Sequence, residues 1–320
     1  MRQCLMLLVA AAAQILVSLP ARAQFEAAPV QRGPRIDKTL VQKIKIGVEI
    51  TSEGGPCRGL HATLPVPTTW PEQQVQILDE DTTPNVKKLQ YRSLGTGVEQ
   101  MIVEVPQLRA GEKASAIVTF EVSRSSLLPP GDTTVFKIPT KVERELVPYL
   151  GSSPFIETRH PKIVALARQA GPGLDGWAKV EAIYDLTREK VEYKAGELKG
   201  AARALQDGTG DCEELTSLFI ALCRNNRIPA RMVWVHEHCY PEFYLVDDEG
   251  KGYWFPCQAA GTRSFGGIPE HRPILQKGDN FRDPDRPKEP LRYVSELIKG
   301  SAVKGGGKPR VEFIREIVGG

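Results

Sequence analysis

The 320-residue chain lacks a strong charge of either sign: 42 Lys and Arg face 39 Asp and Glu, a formal net of +3. That excludes a nucleic-acid binder driven by net charge. No Cys-x-x-Cys pair occurs, and no Cys/His cluster has zinc-finger spacing. A thioredoxin-type redox motif and a structural zinc site of that kind are therefore not encoded. There is no Asp-x-Asp-x-Asp-Gly loop for calcium and no internal repeat. Past residue 23, no apolar run reaches the roughly 18 residues that a membrane-spanning helix needs.

What is present starts at the N-terminus. Arg2 precedes a mostly apolar run from Cys4 to Leu19, and Pro20-Ala21-Arg22-Ala23 follows. A basic start, a short apolar stretch and an Ala-x-Ala site predict a signal peptide, residues 1–23, cleaved near Ala23 to give an exported protein, periplasmic or secreted. Cleavage removes two arginines and no acid, so the mature charge is 3 − 2 = +1. It also removes Cys4 and leaves Cys57, Cys212, Cys223, Cys239 and Cys257. An odd number in an exported chain requires at least one free thiol or an intermolecular bridge.

Residues 24–37 read as a polar, Pro-containing leader. Residues 38–128 read as short strands. Ile44, Ile46, Val48 and Ile50 alternate with Lys45, Gly47 and Glu49, and Ile117–Val122 forms another run. Turn signals such as Gly54-Gly55-Pro56 separate them, a pattern that predicts a β-sandwich. Between 140 and 270 the period changes. Helices are expected over Pro161–Ala170, from Asp175 to Val191, and over Ala201–Gln206. Leu215, Leu218, Phe219 and Leu222 then mark a strongly amphipathic helix ending at Asn225-Asn226. Strands follow at Arg231–Val235, His238–Val246 and Gly252–Cys257. Residues 261–290 read as irregular and Leu291–Ile298 as strand or helix. Gly305-Gly306-Gly307 is a linker and Val311–Val318 a last strand, so 271–320 form a C-terminal extension.

Cys212 is the residue with chemical promise. Asp211 is a good N-cap, which places the thiol in the first turn of its helix. Unpaired N–H groups and the helix dipole favour a negative charge there, so the thiolate is stabilised. Gly208 and Gly210 allow a sharp entry. A small buried hydrophobe fits the same position. A thiol nucleophile also needs a base. His236 and His238 stand near the next strand with the same parity, and alternation does not separate them. Cys239 and Cys257 lie on neighbouring strands, where a disulfide depends on register. Gln206, six residues before Cys212, reads as a helix-surface residue.

Gly210-Asp211-Cys212 followed by Glu213 to Cys223, and then Arg227-Ile228-Pro229-Ala230-Arg231, resembles the core of the transglutaminase-like superfamily. That family continues with His-Ala-Trp-x-Glu, which here reads His238-Cys239-Tyr240-Pro241-Glu242. Its Trp-x-Pro-x-Asp strand reads Trp254-Phe255-Pro256-Cys257-Gln258. The likeness covers about residues 145–260 and selects His238 over His236.

The resemblance implies an α+β, papain-like core of helices packed on an antiparallel sheet, preceded by the β-sandwich. It implies a Cys212 nucleophile, a His238 base and Gln258 as the third, orienting member. The family usually has aspartate at the last position, bound to the imidazole Nδ1–H; a glutamine carbonyl accepts the same bond without bringing charge. The implied chemistry is hydrolysis or acyl transfer on amide or peptide bonds of a protein or peptide substrate, with no cofactor or metal. The same fold also suits a binding or scaffold protein of the cell envelope that has lost turnover.

Overall fold

The computed structural model describes residues 32–95, 97–303 and 307–319. The expected signal peptide, the leader up to residue 31 and most of the glycine linker lie outside these. The chain opens with β1 (Arg35–Thr51), β2 (Cys57–Val66), β3 (Gln73–Thr82), β4 (Lys88–Leu94), β5 (Val98–Leu108) and β6 (Lys113–Leu128). β1 starts inside the segment expected to be a loose leader, because the far end of β6 supplies a partner: Arg35 sits opposite Leu128. Helices and short strands alternate next: α1 (Pro161–Gln169), α2 (Gly176–Lys190), β7 (Glu192–Tyr193), α3 (Ala201–Asp207), β8 (Thr209–Gly210) and α4 (Cys212–Asn225). Then come β9 (Ala230–Val235), β10 (His238–Val246), β11 (Gly252–Gln258), β12 (Ser264–Phe265) and β13 (Ile274–Lys277). The last strands are β14 (Leu297–Ala302) and β15 (Arg310–Gly319).

Among the described residues the two large sheets are antiparallel. One has the order β15-β1-β6-β3, the other β12-β11-β10-β9-β13-β5-β2-β14 with β4 added beside β5. Ile44, Ile46, Val48 and Ile50 of β1 are buried, as their alternation predicts, and they share one cluster with Leu64, Met101, Val103 and Phe120 from both sheets. The N-terminal strands do not form a layer of their own. β14 and β15 complete their two sheets, and one sheet runs on through β13 into the helical half. β13 lies in the segment expected to be irregular. It pairs β9 on one side and β5 on the other.

The helices cover the β9-β10-β11 face, and their contact forms a second cluster that includes Leu218, Phe219, Leu222, Phe243 and Phe255. The C-terminal end of α4 is clamped by a buried ion pair. Arg224 Nη2 donates to both Asp279 oxygens, at 2.9 and 2.8 Å, and to the Ala230 carbonyl at 2.7 Å. Both side chains are almost completely buried (0% and 1% exposed), so neither charge has water as an alternative partner. A second buried network ties β13 to β10. Lys277 Nζ donates to Glu72 at 2.5 Å and to Glu242 at 2.6 Å. Arg231 bonds the other Glu242 oxygen at 2.8 Å and lies 4.0 Å over the Trp254 ring. Burial opposes the Glu242 charge, but Lys277 and Arg231 hold its carboxyl well below the usual range.

Candidate active site

α4 begins where the sequence places it. The Asp211 side chain accepts from the Glu213 N–H at 2.7 Å, and the Glu214 side chain accepts from the Asp211 N–H at 3.1 Å. This reciprocal cap satisfies donors that would otherwise be orphaned at the first turn. Burial pushes the Asp211 carboxyl up to about 7, and its contact with Glu214 adds to the shift, while Glu214 stays below its ordinary value.

Gly210 is required by space. A Cβ there would stand 2.5 Å from Glu214 Cβ, inside the cap. Gly210→Ala is expected to cost about 1–3 kcal/mol, read as a fall in urea midpoint. A loss no larger than that of Gly208→Ala, where φ is +70° and nothing is within 4 Å, would refute the packing argument.

Cys212 is partly exposed at the edge of a cleft of about 670 Å³. The walls are the start of α4, the turn between β9 and β10, Tyr193 at the end of β7, and Arg292, Tyr293, Glu296 and Arg315 from the C-terminal segment. Glu213 and Glu296 hold Arg292 and Arg315 by ion pairs. Arg292 also lies 5.2 Å over the Trp234 ring.

Both candidate histidines line this cleft. The parity reading does not apply to them: β9 ends at Val235, and His236 and Glu237 are the two turn residues, with Glu237 in the left-handed region at φ +54°. His238 is the first residue of β10 and sits opposite Val235. Its ring Nε2 lies 3.1 Å from Gln258 Nε2, and Gln258 Oε1 is buried without a partner. Turning the amide over brings Oε1 onto a ring N–H. The family pattern implied a third member on Nδ1; the contact is instead at Nε2.

Cys212 itself is drawn down to about 4. Its hydrogen bond with the Cys239 thiol is the largest cause. Burial opposes it, and the His238 hydrogen bond and charge add to it, with the Cys239 main-chain N–H contributing as well. Cys239 is pushed well above the ordinary value by the same contact and by burial. Its Sγ lies 3.9 Å from Thr216 Oγ1, one turn along α4 from Cys212. The five cysteines of the described chain are all free thiols. The β10–β11 register pairs Glu242 with Pro256, which sets Cys257 beside Pro241 and not beside Cys239.

Gln206 is exposed on α3, away from this cleft. Nothing in the sequence pointed to Arg292, Tyr293, Glu296 or Arg315, because they reach the site through tertiary packing of the chain's last segment. Cys239 did carry a signal, since it stands where the family pattern has alanine. Among the described residues, no three His, Cys, Asp or Glu side chains converge as a metal site, and no helix is long and apolar enough to cross a membrane.

Solved structures and a family model are similar to this chain. A crystal structure of a proposed cysteine protease from Cytophaga hutchinsonii superposes with a TM-score of 0.53 at 18% identity, covering 88% of this chain and 93% of that one. A proposed protease from Parabacteroides distasonis gives a TM-score of 0.28 at 10% identity over 70% of this chain and 68% of that one. No curated protein matches the sequence. The family model described as "Transglutaminase-like superfamily" matches residues 164–259, which contain α4, β9, β10 and β11 with Cys212, His238 and Gln258. The chain carries a domain of the transglutaminase-like superfamily over residues 164–259.

Proposed function

We propose that the protein is a thiol enzyme acting on amide or peptide bonds, with Cys212 as nucleophile, His238 as base and acid, and Gln258 as the residue that orients the imidazole. The observation that carries this reading is the placement of Cys212 and His238 on the wall of one cleft, with His238 Nε2 3.1 Å from the Gln258 amide. Sγ attacks the carbonyl carbon and forms a C–S bond. The Cys212 N–H, which the Asp211 cap leaves open, and the positive end of the α4 dipole stabilise the developing oxyanion. His238 delivers its proton to the leaving amine as the C–N bond breaks. The acyl-enzyme then passes to water or to a second amine, with His238 taking the incoming proton. The protease relationship of the Cytophaga hutchinsonii structure supports a protein or peptide substrate. A binding protein without turnover is the second reading, favoured by the missing carboxylate at Gln258.

The test is alkylation of the purified protein across pH, with adducts mapped by mass spectrometry. A thiol drawn down to about 4 stays ionised at higher pH and loses its thiolate as pH falls through that value. Cys212 is therefore expected to label ahead of the four buried cysteines down to about pH 5. Labelling only after denaturation, or a midpoint of about 8–9, would sink the enzyme reading.

We also infer that residues 1–23 direct export, and that β1–β6, completed by β14 and β15, serve as a β-sandwich packing or recognition module. N-terminal sequencing of protein recovered outside the cytoplasm tests the first point. A start at Met1 would overturn it.

A further inference from the structure

Phe243 and Phe255 face the helices, so Arg231, Glu242 and Trp254, at alternate positions of the same strands, face the other side of the sheet. That side carries a second cavity of about 390 Å³, which shares no lining residue with the catalytic cleft. Its floor holds Glu72, Arg231, Glu242 and Lys277. With Arg124 these form a buried group in which no member is more than 8% exposed. Three are cations and two are carboxylates, which leaves one excess positive charge. Both carboxylates are engaged, since Lys277 bonds Glu72 and Glu242 and Arg231 bonds Glu242. Arg124 is left with neutral oxygens: the Glu72 carbonyl at 3.3 Å, the Ser125 carbonyl at 2.6 Å and the Tyr240 hydroxyl at 3.0 Å. Glu72 joins Arg124 to the cavity, because its carbonyl accepts from the guanidinium and its side chain lies on the floor. Lys277 has three N–H donors and spends two of them on carboxylates. Ile36, Leu127, Tyr253 and Trp254 make the walls.

We propose that this cavity binds a small organic carboxylate, its oxygens toward Lys277 and Arg231 and its aromatic or aliphatic body against Trp254 and Leu127. The site stands apart from the thiol chemistry and does not depend on it. A cation shut away from water without a counter-charge is costly, and here the excess adjoins an open space and not a packed wall. An incoming carboxylate supplies the missing charge. A neutral ligand leaves the excess as it is, and an ammonium adds to it. The volume lies in the range of about 300–1,000 Å³ in which proteins hold small molecules. At the mouth Arg32 is tied to Asp247, Asp248 and Glu249. Asp248 and Glu249 are exposed, so water and salt screen their charge.

Calorimetric titration of the purified full chain with benzoate, benzamide and benzylamine tests the choice of charge. Benzoate is expected to bind with a Kd of about 1 mM, and at least about tenfold more tightly than the other two. Ile36 tests the position, because it lines the cavity, is 49% exposed and takes no part in the buried ion pairs. Ile36→Glu is expected to weaken benzoate about fivefold or more and Ile36→Lys to strengthen it, with benzamide moved by neither. Both substitutions are at the surface, where the fold tolerates them. Arg292→Gln removes a cation from the catalytic cleft and is expected to leave benzoate binding unchanged. That control separates the two sites, and none of these readouts uses Cys212, so a failure here is distinct from a failure of the enzyme reading. A benzoate Kd weaker than about 10 mM, equal affinity for benzamide or benzylamine, no response to either Ile36 variant, or loss of binding in Arg292→Gln would each overturn the proposal.

Discussion

His238→Ala is expected to move the midpoint of Cys212 alkylation upward by more than about one pH unit. The imidazole contributes both a hydrogen bond and a charge to the thiolate. Removing it leaves the Cys239 contacts and the helix start, so a full return to the ordinary thiol value is not expected. The readout has to be the midpoint and not the rate at one pH. At neutral pH a thiol with a midpoint of about 4 or about 5 is almost fully ionised in either case, so the two forms hardly differ in thiolate fraction there, while their profiles separate on the acid limb. Gln258→Ala should give a smaller upward shift, because it acts by holding the ring and brings no charge. An unchanged midpoint in His238→Ala would show that Cys212 owes its ionisation to its neighbours on β10 and α4 alone.

Asp279→Ala is expected to cost about 3–5 kcal/mol of folding stability. The substitution leaves the Arg224 guanidinium buried with no counter-charge, and it removes the acceptor of the Met232 N–H and of the Ser153 hydroxyl. Against a domain stability of about 5–15 kcal/mol, that is a large fraction. Urea unfolding followed by tryptophan fluorescence checks it. Arg224→Met combined with Asp279→Leu should recover part of the loss, since no charge is then buried. A cost below about 1 kcal/mol, as for an exposed pair, would mean that the clamp is open to water in solution. The consequence reaches the cleft, because the clamp fixes the end of the helix whose start carries Cys212.

How much of this could be read in advance differs by element. α4 was legible because Leu215, Leu218, Phe219 and Leu222 keep helical period and Asp211 is a capping residue. The strands from β9 to β11 were legible from turn residues and β-branched or aromatic runs. His238 and Gln258 were not separable from their neighbours by period. They came from the family pattern, and the strand parity that seemed to include His236 fails at the turn. β13 was missed because it is four residues long, lies between Pro273 and Gly278, and carries Gln276 and Lys277 in its buried positions. Those polar residues are satisfied by Val294 and by Glu72 and Glu242, partners that no local window contains. The cleft wall built from Arg292 and Arg315 was invisible for the same reason.

The strand order has a consequence for how the chain reaches this state. β1 is held between β6 and β15, and β2 between β5 and β14, so the first strands wait for the last. A growing chain with only its N-terminal part made leaves one long edge of β1 bare, with Ile44 and Ile317 not yet paired. Folding is therefore gated by completion of the C-terminus and is slowed by pairings distant in sequence. Truncation before Arg310 would strip the outer strand from its sheet and leave a template for self-association.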